Sequence, residues 1–406
     1  MTGVAALVPD GLRAVTREVG ASRAGRAGAG TLLGSLAPGG FAWLQANGGA
    51  ATGFVTSGEV ARVPADEATA LLDAIEVDDA VGAPGTGAVA VGALPFDPAA
   101  GGELVVPARV FGRAPDGRLW HTEIGPATVA PVVSRVPPTR FDVRAVDTRD
   151  GWRAAVEAIL AAIDAGTVEK VVLAREVVVE ADEDFPVAAV LARLHAQQPG
   201  CYVYAAGDLV GASPELLVRR AGAVAESRPM AGTVACDAGD EAVAALAESL
   251  KDAREHQFVV DAILAALDGR CESLDVAATP EIARFSSVAH LVTPIRAVLH
   301  APAPSALDLA RALHPTPAVG GTPRAEALTL IEQLERRDRG RYAGPVGWVD
   351  ADGDGEWAVA LRGGEVRGNT AVLRAGAGIV AGSDPDAEWA ETEAKLDPML
   401  RALVRP

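Results

Sequence analysis

The sequence predicts an α+β fold. Three observations carry this: apolar strand-like runs follow one another across short Gly- and Pro-rich turns, helical periodicities are scattered among them instead of alternating with them, and no segment repeats another. Over residues 1–140 the runs Phe41–Leu44, Gly53–Val63, Ala88–Pro95 and Glu103–Phe111 read as antiparallel strands. The Pro-rich stretch Pro131–Pro138 marks a seam after which helices lengthen. Residues 1–140 are thus expected to form a strand-rich N-terminal part of the fold, and residues 150–403 the region that carries the chemistry. Trp152, Val156, Ile159, Leu160 and Ile163 recur at helical spacing up to Gly166, and the β-branched run Val171–Val179 follows as a strand. A helix over Pro186–Gln197, strands over Cys201–Ala205 and Asp208–Arg219, and a long helix over Ala242–Leu267 come next. Another helix opens after Thr322. A hairpin of Val346–Asp350 and Trp357–Arg362, a strand reaching Ala375 and a helix over Pro385–Leu403 close the chain.

Of the 406 residues, 49% are hydrophobic and 22% charged, a globular composition with enough chain for one large or two ordinary domains. The formal net charge of −18 excludes sequence-independent nucleic-acid binding and adhesion to an anionic membrane surface, both of which need a basic patch. It also repels anionic small molecules, so a carboxylate substrate requires a site made locally positive by Arg, Lys, a metal or backbone amides. Cys201, Cys236 and Cys271 are odd in number, far apart and without a Cys-x-x-Cys spacing, which points to a reducing cytoplasm and not to a disulfide framework or structural zinc. Met1–Ala21 shows no basic start followed by an apolar run, and no stretch approaches the ~18 continuous apolar residues of a membrane span. A soluble cytoplasmic protein is expected.

Several motifs imitate known sites. Gly28-Ala-Gly30 with Gly34 lacks both the preceding strand and the spacing of a dinucleotide loop. Asp350, Asp352, Asp354 and Gly355 start like a calcium loop but place Leu361 where a bidentate Glu is needed, so a hairpin turn is the better reading. The six histidines show no paired zinc spacing.

Other constellations survive. Lysines are rare in this Arg-rich chain: Lys170, Lys251 and Lys395 are the only ones. Unlike Arg, a Lys can be pulled toward neutrality by burial and so act as a base. On the closing helix, opened by Ser383 or Asp384 and Pro385, Glu388, Glu391 and Lys395 share one face. On the preceding long helix Asp252 and Glu255 share another. Carboxylates from two helices with no thiolate nearby suit magnesium, although spacing alone equally describes solvated helix faces. Lys170 lies in a strand on the face of Val172 and Ala174, and Glu215 follows Ser213-Pro214 inside an apolar strand. Such a pair is either structural ions or a base and an acid with shifted pKa values. Gly376-Ala-Gly378 and Gly320-Gly321 read as turns before helix starts, where amides approach an anion, and Arg362 at a strand end could grip a carboxylate.

In order along the chain, the blocks Lys170–Arg175, Gly211–Leu217, Arg228–Thr233, Lys251–His256, His290–Pro294, His314–Gly321, Gly355–Trp357, Ala375–Val380 and Glu388–Lys395 resemble the chorismate-utilising enzymes, the family of isochorismate, salicylate, anthranilate and aminodeoxychorismate synthases. Gly92–Asp97 extends the likeness weakly into the first third. The resemblance implies two large antiparallel sheets packed face to face, with helices outside and the site in the cleft between. It implies Mg2+ held by Glu255 and Glu391, with Asp252 and Glu388 assisting directly or through water. Arg362, Lys395 and amides near Gly376, Gly378 and Gly232 would bind the two carboxylates of chorismate, with Thr233, His290 and Ala318 beside them. Lys170 would be the base that activates water for attack at C2, and Glu215 the acid that protonates the departing C4 hydroxyl.

Three positions choose among the siblings. Ala231 stands where aminodeoxychorismate synthases carry a nucleophilic Lys. Lys170 favours water over ammonia, and Ala318 replaces a Thr common in salicylate synthases. The resemblance therefore implies isochorismate synthesis, an isomerisation serving a menaquinone or siderophore pathway. Salicylate synthase, an aminating subunit and a catalytically silent chorismate-binding protein are the alternatives. No partner beyond chorismate is implied, and a monomer or weak homodimer is expected.

Overall fold

The computed structural model describes residues 11–20, 32–45, 51–125, 136–236 and 239–404. Gly28-Ala-Gly30 and most of the Pro131–Pro138 seam lie outside the described residues. Twenty strands join edge to edge in one hydrogen-bonded network, while Met230–Ala235, Val288–Val292 and Glu281–Arg284 form a small separate sheet. Paired strands run antiparallel except Arg13–Glu18 beside Glu76–Asp79. The spine is the strand Lys170–Ala181, paired without a break along Thr370–Val380, with Lys170 opposite Val380.

The network folds back into two facing layers. Trp43 Nε1, on the strand Phe41–Gln45, donates to Glu356 Oε2 at 2.8 Å on Gly355–Val359, a strand that is not its neighbour. Between the layers Phe54 meets Trp348 edge-on at 5.8 Å. A second apolar cluster lies under the helices Val187–Gln197 and Pro385–Val404, whose Leu191, Leu194, Leu396 and Met399 pack on Val177, Val179 and Leu373 of the spine pair. This is the expected α+β arrangement, with the two layers continuous through shared edges.

Local sequence explains the helices around the site. Thr148 Oγ1 accepts the Gly151 amide to start Arg149–Asp164, whose Trp152, Val156 and Ile159 face the core. Ser249 Oγ accepts the Asp252 amide and starts Leu250–Leu267. The expected single helix over Ala242–Leu267 is therefore corrected. It is interrupted at Ser249, and a short Asp240–Ala245 helix precedes it, because a side-chain cap at 249 competes with helix continuation. Asp384 Oδ1 accepts the amides of Asp386 and Ala387 and opens the closing helix.

Three further expectations change. Glu215 lies not inside one strand but at the break between Leu209–Ser213 and Leu216–Ala221, where Pro214 cannot donate to a sheet. Gly376 and Gly378 lie within the spine's partner strand, opposite Ala174 and Val172, and do not form a turn. Gly321 likewise pairs with Val171. Arg362 follows the end of Gly355–Val359 in a left-handed conformation, φ 50°, and does not end the strand. The turn at Asp350 is as expected: its Oδ1 accepts the amides of Asp352 and Asp354.

A buried ion pair braces the spine. Glu335 Oε1 accepts the Ala174 amide at 2.8 Å, and Arg339 bonds Glu335 and the carbonyls of Val172 and Val319. Both side chains are buried. Glu335→Gln leaves the guanidinium without its counter-charge and is expected to cost about 3 kcal/mol of stability, read from urea unfolding.

Candidate active site

Lys170 opens the spine strand and is fully buried, with Nζ 2.9 Å from Glu255 Oε1 on the Leu250–Leu267 helix. Two glycines pack closely around Lys170. A methyl at Gly378 would strike the Glu255 carboxylate and the Lys170 stem, and one at Gly321 would strike the Lys170 carbonyl. Gly378 is needed because a side chain there would occupy the space the ion pair fills, and Gly321 because one would collide with the Lys170 backbone and Ala327.

The other two lysines hold acidic groups in the same way. Lys395 Nζ bonds Glu391 Oε1 at 2.6 Å and the Gly376 carbonyl at 3.0 Å. Lys251 Nζ bonds Glu388 Oε1 at 2.9 Å. Burial pushes the Glu255 carboxyl up, but the pull of Lys170, Lys395 and Lys251 outweighs it and holds the group below its ordinary value. Glu391 goes the other way: burial raises it, the pull of Lys395 opposes this, and repulsion from Glu388 and Glu255 adds to the rise. Asp252 lies against Gly232 and bonds Ser249. Three glutamates from two helices thus crowd one region.

The facing wall carries the second group. Glu215 is 4% exposed and borders a cleft with about 680 Å3 of empty space, its open mouth included. Burial drives its carboxyl up to about 8 despite the attraction of Lys170, Lys395 and Arg362. Arg362 Nη2 donates to His290 Nε2 at 2.9 Å, and His290 Nδ1 stands 3.2 Å from both the Gly232 carbonyl and Thr233 Oγ1. With Nε2 accepting, the network assigns the proton to Nδ1. Burial and the charges of Arg362 and Lys395 hold His290 neutral.

The structure brings the anticipated residues together. Glu215, Thr233, Glu255, His290 and Ala318 line the cleft, as do Arg362, Gly376, Gly378 and Lys395. Lys170 lies immediately behind Gly378 and Glu255, and Gly232 behind His290. Asp252, Glu388 and Glu391 are outside the lining, and of the three only Glu391 bonds a residue that lines it, Lys395. Met230 and Val319, inside the blocks Arg228–Thr233 and His314–Gly321, also line the cleft, and sequence reasoning missed Tyr342 and Arg374, which join them. Nothing in their local sequence sets them apart, since they come from separate strands and loops. His256, whose Nε2 is 2.7 Å from Thr293 Oγ1, is a further buried neighbour that burial and Lys170 hold to about 4.

A cleft bordered by Glu255, Lys395 and a buried acid, with Lys–Glu pairs behind its wall and facing antiparallel layers around it, is matched by known proteins. Residues 130–404 match the family described as chorismate binding enzyme, and the chain belongs to that family. Among its relatives, a Mycobacterium tuberculosis protein provisionally named isochorismate synthase MenF is 43% identical over 79% of this chain and 87% of its own length. The isochorismate synthase DhbC of Bacillus subtilis is 37% identical over 77% and 80%. The solved structure of the menaquinone-specific isochorismate synthase MenF of Escherichia coli superposes with a TM-score of 0.80 at 27% identity, covering 98% of this chain and 96% of that one.

Gly378→Ala is expected to destabilise the protein by about 1–3 kcal/mol through overpacking and to push Lys170 off Glu255. Urea unfolding and a crystal structure of the variant check both.

Proposed function

We propose that this protein is an isochorismate synthase, a cytoplasmic isomerase that converts chorismate to isochorismate. One observation supports this most: Glu215, a carboxyl kept protonated at neutral pH by burial in the cleft wall, lies close enough to feel Lys170, the buried amine of the opposite wall. A general acid and a general base are what hydroxyl exchange on a ring requires.

The reaction balances as follows. With Lys170 as the neutral amine, a form it reaches by releasing its ammonium proton to solvent once Glu255 no longer holds it, water attacks C2 and passes a proton to that amine. The ring double bonds shift, the C4–O bond breaks, and the C4 hydroxyl takes the Glu215 proton and leaves as water. Arg362 and Lys395 bind the substrate carboxylates, and His290, neutral and fixed in one tautomer, holds the Arg362 guanidinium in place. Their charge overcomes the repulsion that the −18 chain exerts on a dianion.

Mg2+ fits the acidic donors by chemistry. The set is all oxygen, and Glu391 is raised by burial and by repulsion from Glu388 and Glu255, a strain that a divalent cation would relieve. Among the described residues no three such groups converge as they stand, because each glutamate is turned to a lysine. Glu255 and Glu391 would hold the ion, with Asp252 and Glu388 assisting, and engaging Glu255 also loosens its grip on the Lys170 ammonium. The bound ion supplies positive charge for a substrate carboxylate. Ala231 lines the cleft where an aminodeoxychorismate synthase carries its lysine nucleophile, and Lys170 favours water over ammonia, which together support water as the nucleophile. Menaquinone and siderophore synthesis are the two destinations for the product.

Purified protein with chorismate and Mg2+, without ammonium, is expected to yield isochorismate by chromatography. Salicylate with pyruvate would assign it to the lyase branch, and no turnover would leave a silent binder. Lys170→Ala and Glu215→Gln should each lower kcat by roughly 10²–10⁴-fold, and chelation should stop turnover. Because the acid works only while protonated, kcat should fall as pH rises through about 8, and Glu215→Gln should remove that limb from its residual rate.

A further inference from the structure

Once acid, base and carboxylate ligands are assigned, one lysine is left without a task. Lys251 is the second residue of the Leu250–Leu267 helix, and its ammonium bonds Glu388 of the closing helix at 2.9 Å. Its side chain is 42% exposed while that of Glu388 is 5% exposed. Lys170 is walled in at 0%, and Lys395, at 17%, is tied to the Gly376 carbonyl as well as to Glu391. Among the described residues Lys251 makes its hydrogen bond to Glu388 alone.

The charges explain why this matters. Three ammoniums face three buried or half-buried carboxylates, Glu255, Glu388 and Glu391, and together they are neutral. Removing any one ammonium leaves a desolvated anion, which is costly. Adding a divalent cation to the intact set leaves two positive charges in excess, so an ammonium has to let go. Only Lys251 combines a single partner with a stem that reaches solvent, where the released charge is rehydrated at little cost.

Resting on the cation reading above, we propose that Lys251 is an internal counter-cation: it occupies the cation's place at Glu388 in the metal-free protein and swings to solvent when Mg2+ binds. Metal uptake is then an exchange of an ammonium for Mg2+. The alternative role for the same contact is a staple between two helices, which would be needed equally with and without metal.

The test uses the full-length protein and no chorismate. Mg2+ is titrated calorimetrically into wild type, Lys251→Met, Lys251→Gln and Lys251→Arg, and thermal unfolding is followed for each with and without Mg2+. The exchange predicts that the Met and Gln variants bind Mg2+ about fivefold more tightly, because the competing ammonium is gone. They should unfold about 2 °C lower only in the absence of Mg2+. Lys251→Arg should behave like wild type. Unchanged or weaker Mg2+ affinity in the Met and Gln variants, or an unfolding shift equal with and without metal, overturns the exchange while leaving the cation site standing. Absence of Mg2+ binding in wild type and variants alike overturns the site and the exchange together.

Discussion

The buried contact between Lys170 and Glu255 is the constraint around which the cleft is built. Two ions out of water cost several kcal/mol each before their attraction is counted, so the pair survives only if geometry is held tightly from every side. Here the spine strand fixes the lysine backbone, with Gly321 packed against it, the Ser249-capped helix fixes the glutamate, and Gly378 supplies the volume the pair fills. Glu335 and Arg339 in turn brace the spine at Ala174 and Val172, four and two residues further on.

From that pair the remaining electrostatics follow. An acidic chain has to bring an anionic substrate to a site, and it does so with a few cations placed where solvent does not screen them. All three lysines of the chain are spent in one region, each against a glutamate. The cleft wall also carries Arg362 and Glu215, whose carboxyl burial shifts upward, while the Lys170 amine is buried behind Gly378, so the two titratable groups sit in separate environments without pairing. Separate environments for two titratable groups are how one site runs both halves of a proton exchange at neutral pH.

Much of this was legible in the sequence because it is local. The scarcity of Lys, the helical spacing of Glu388, Glu391 and Lys395, and Glu215 after a proline are all visible in short windows. So were the strands at Phe41–Gln45, Thr52–Pro64, Val89–Ala93 and Glu103–Arg113. The errors fell where a short-range signal was ambiguous. Gly376-Ala-Gly378 looks like a turn until its partner strand is known, and the Ala242–Leu267 periodicity does not reveal that Ser249 turns its side chain back to cap a new helix.

By itself the sequence determined many of the longer elements, the charge the site must overcome, and a set of acidic and basic residues ordered as in chorismate-utilising enzymes. Tertiary structure alone decided which charges meet: Lys170 with Glu255 across 85 positions, Lys251 with Glu388 across 137, and Arg362 with His290 across 72. It also decided that Tyr342 and Arg374 belong to the cleft. The physical reason is that pairing and pKa depend on distance and burial, which a residue acquires only from neighbours far along the chain.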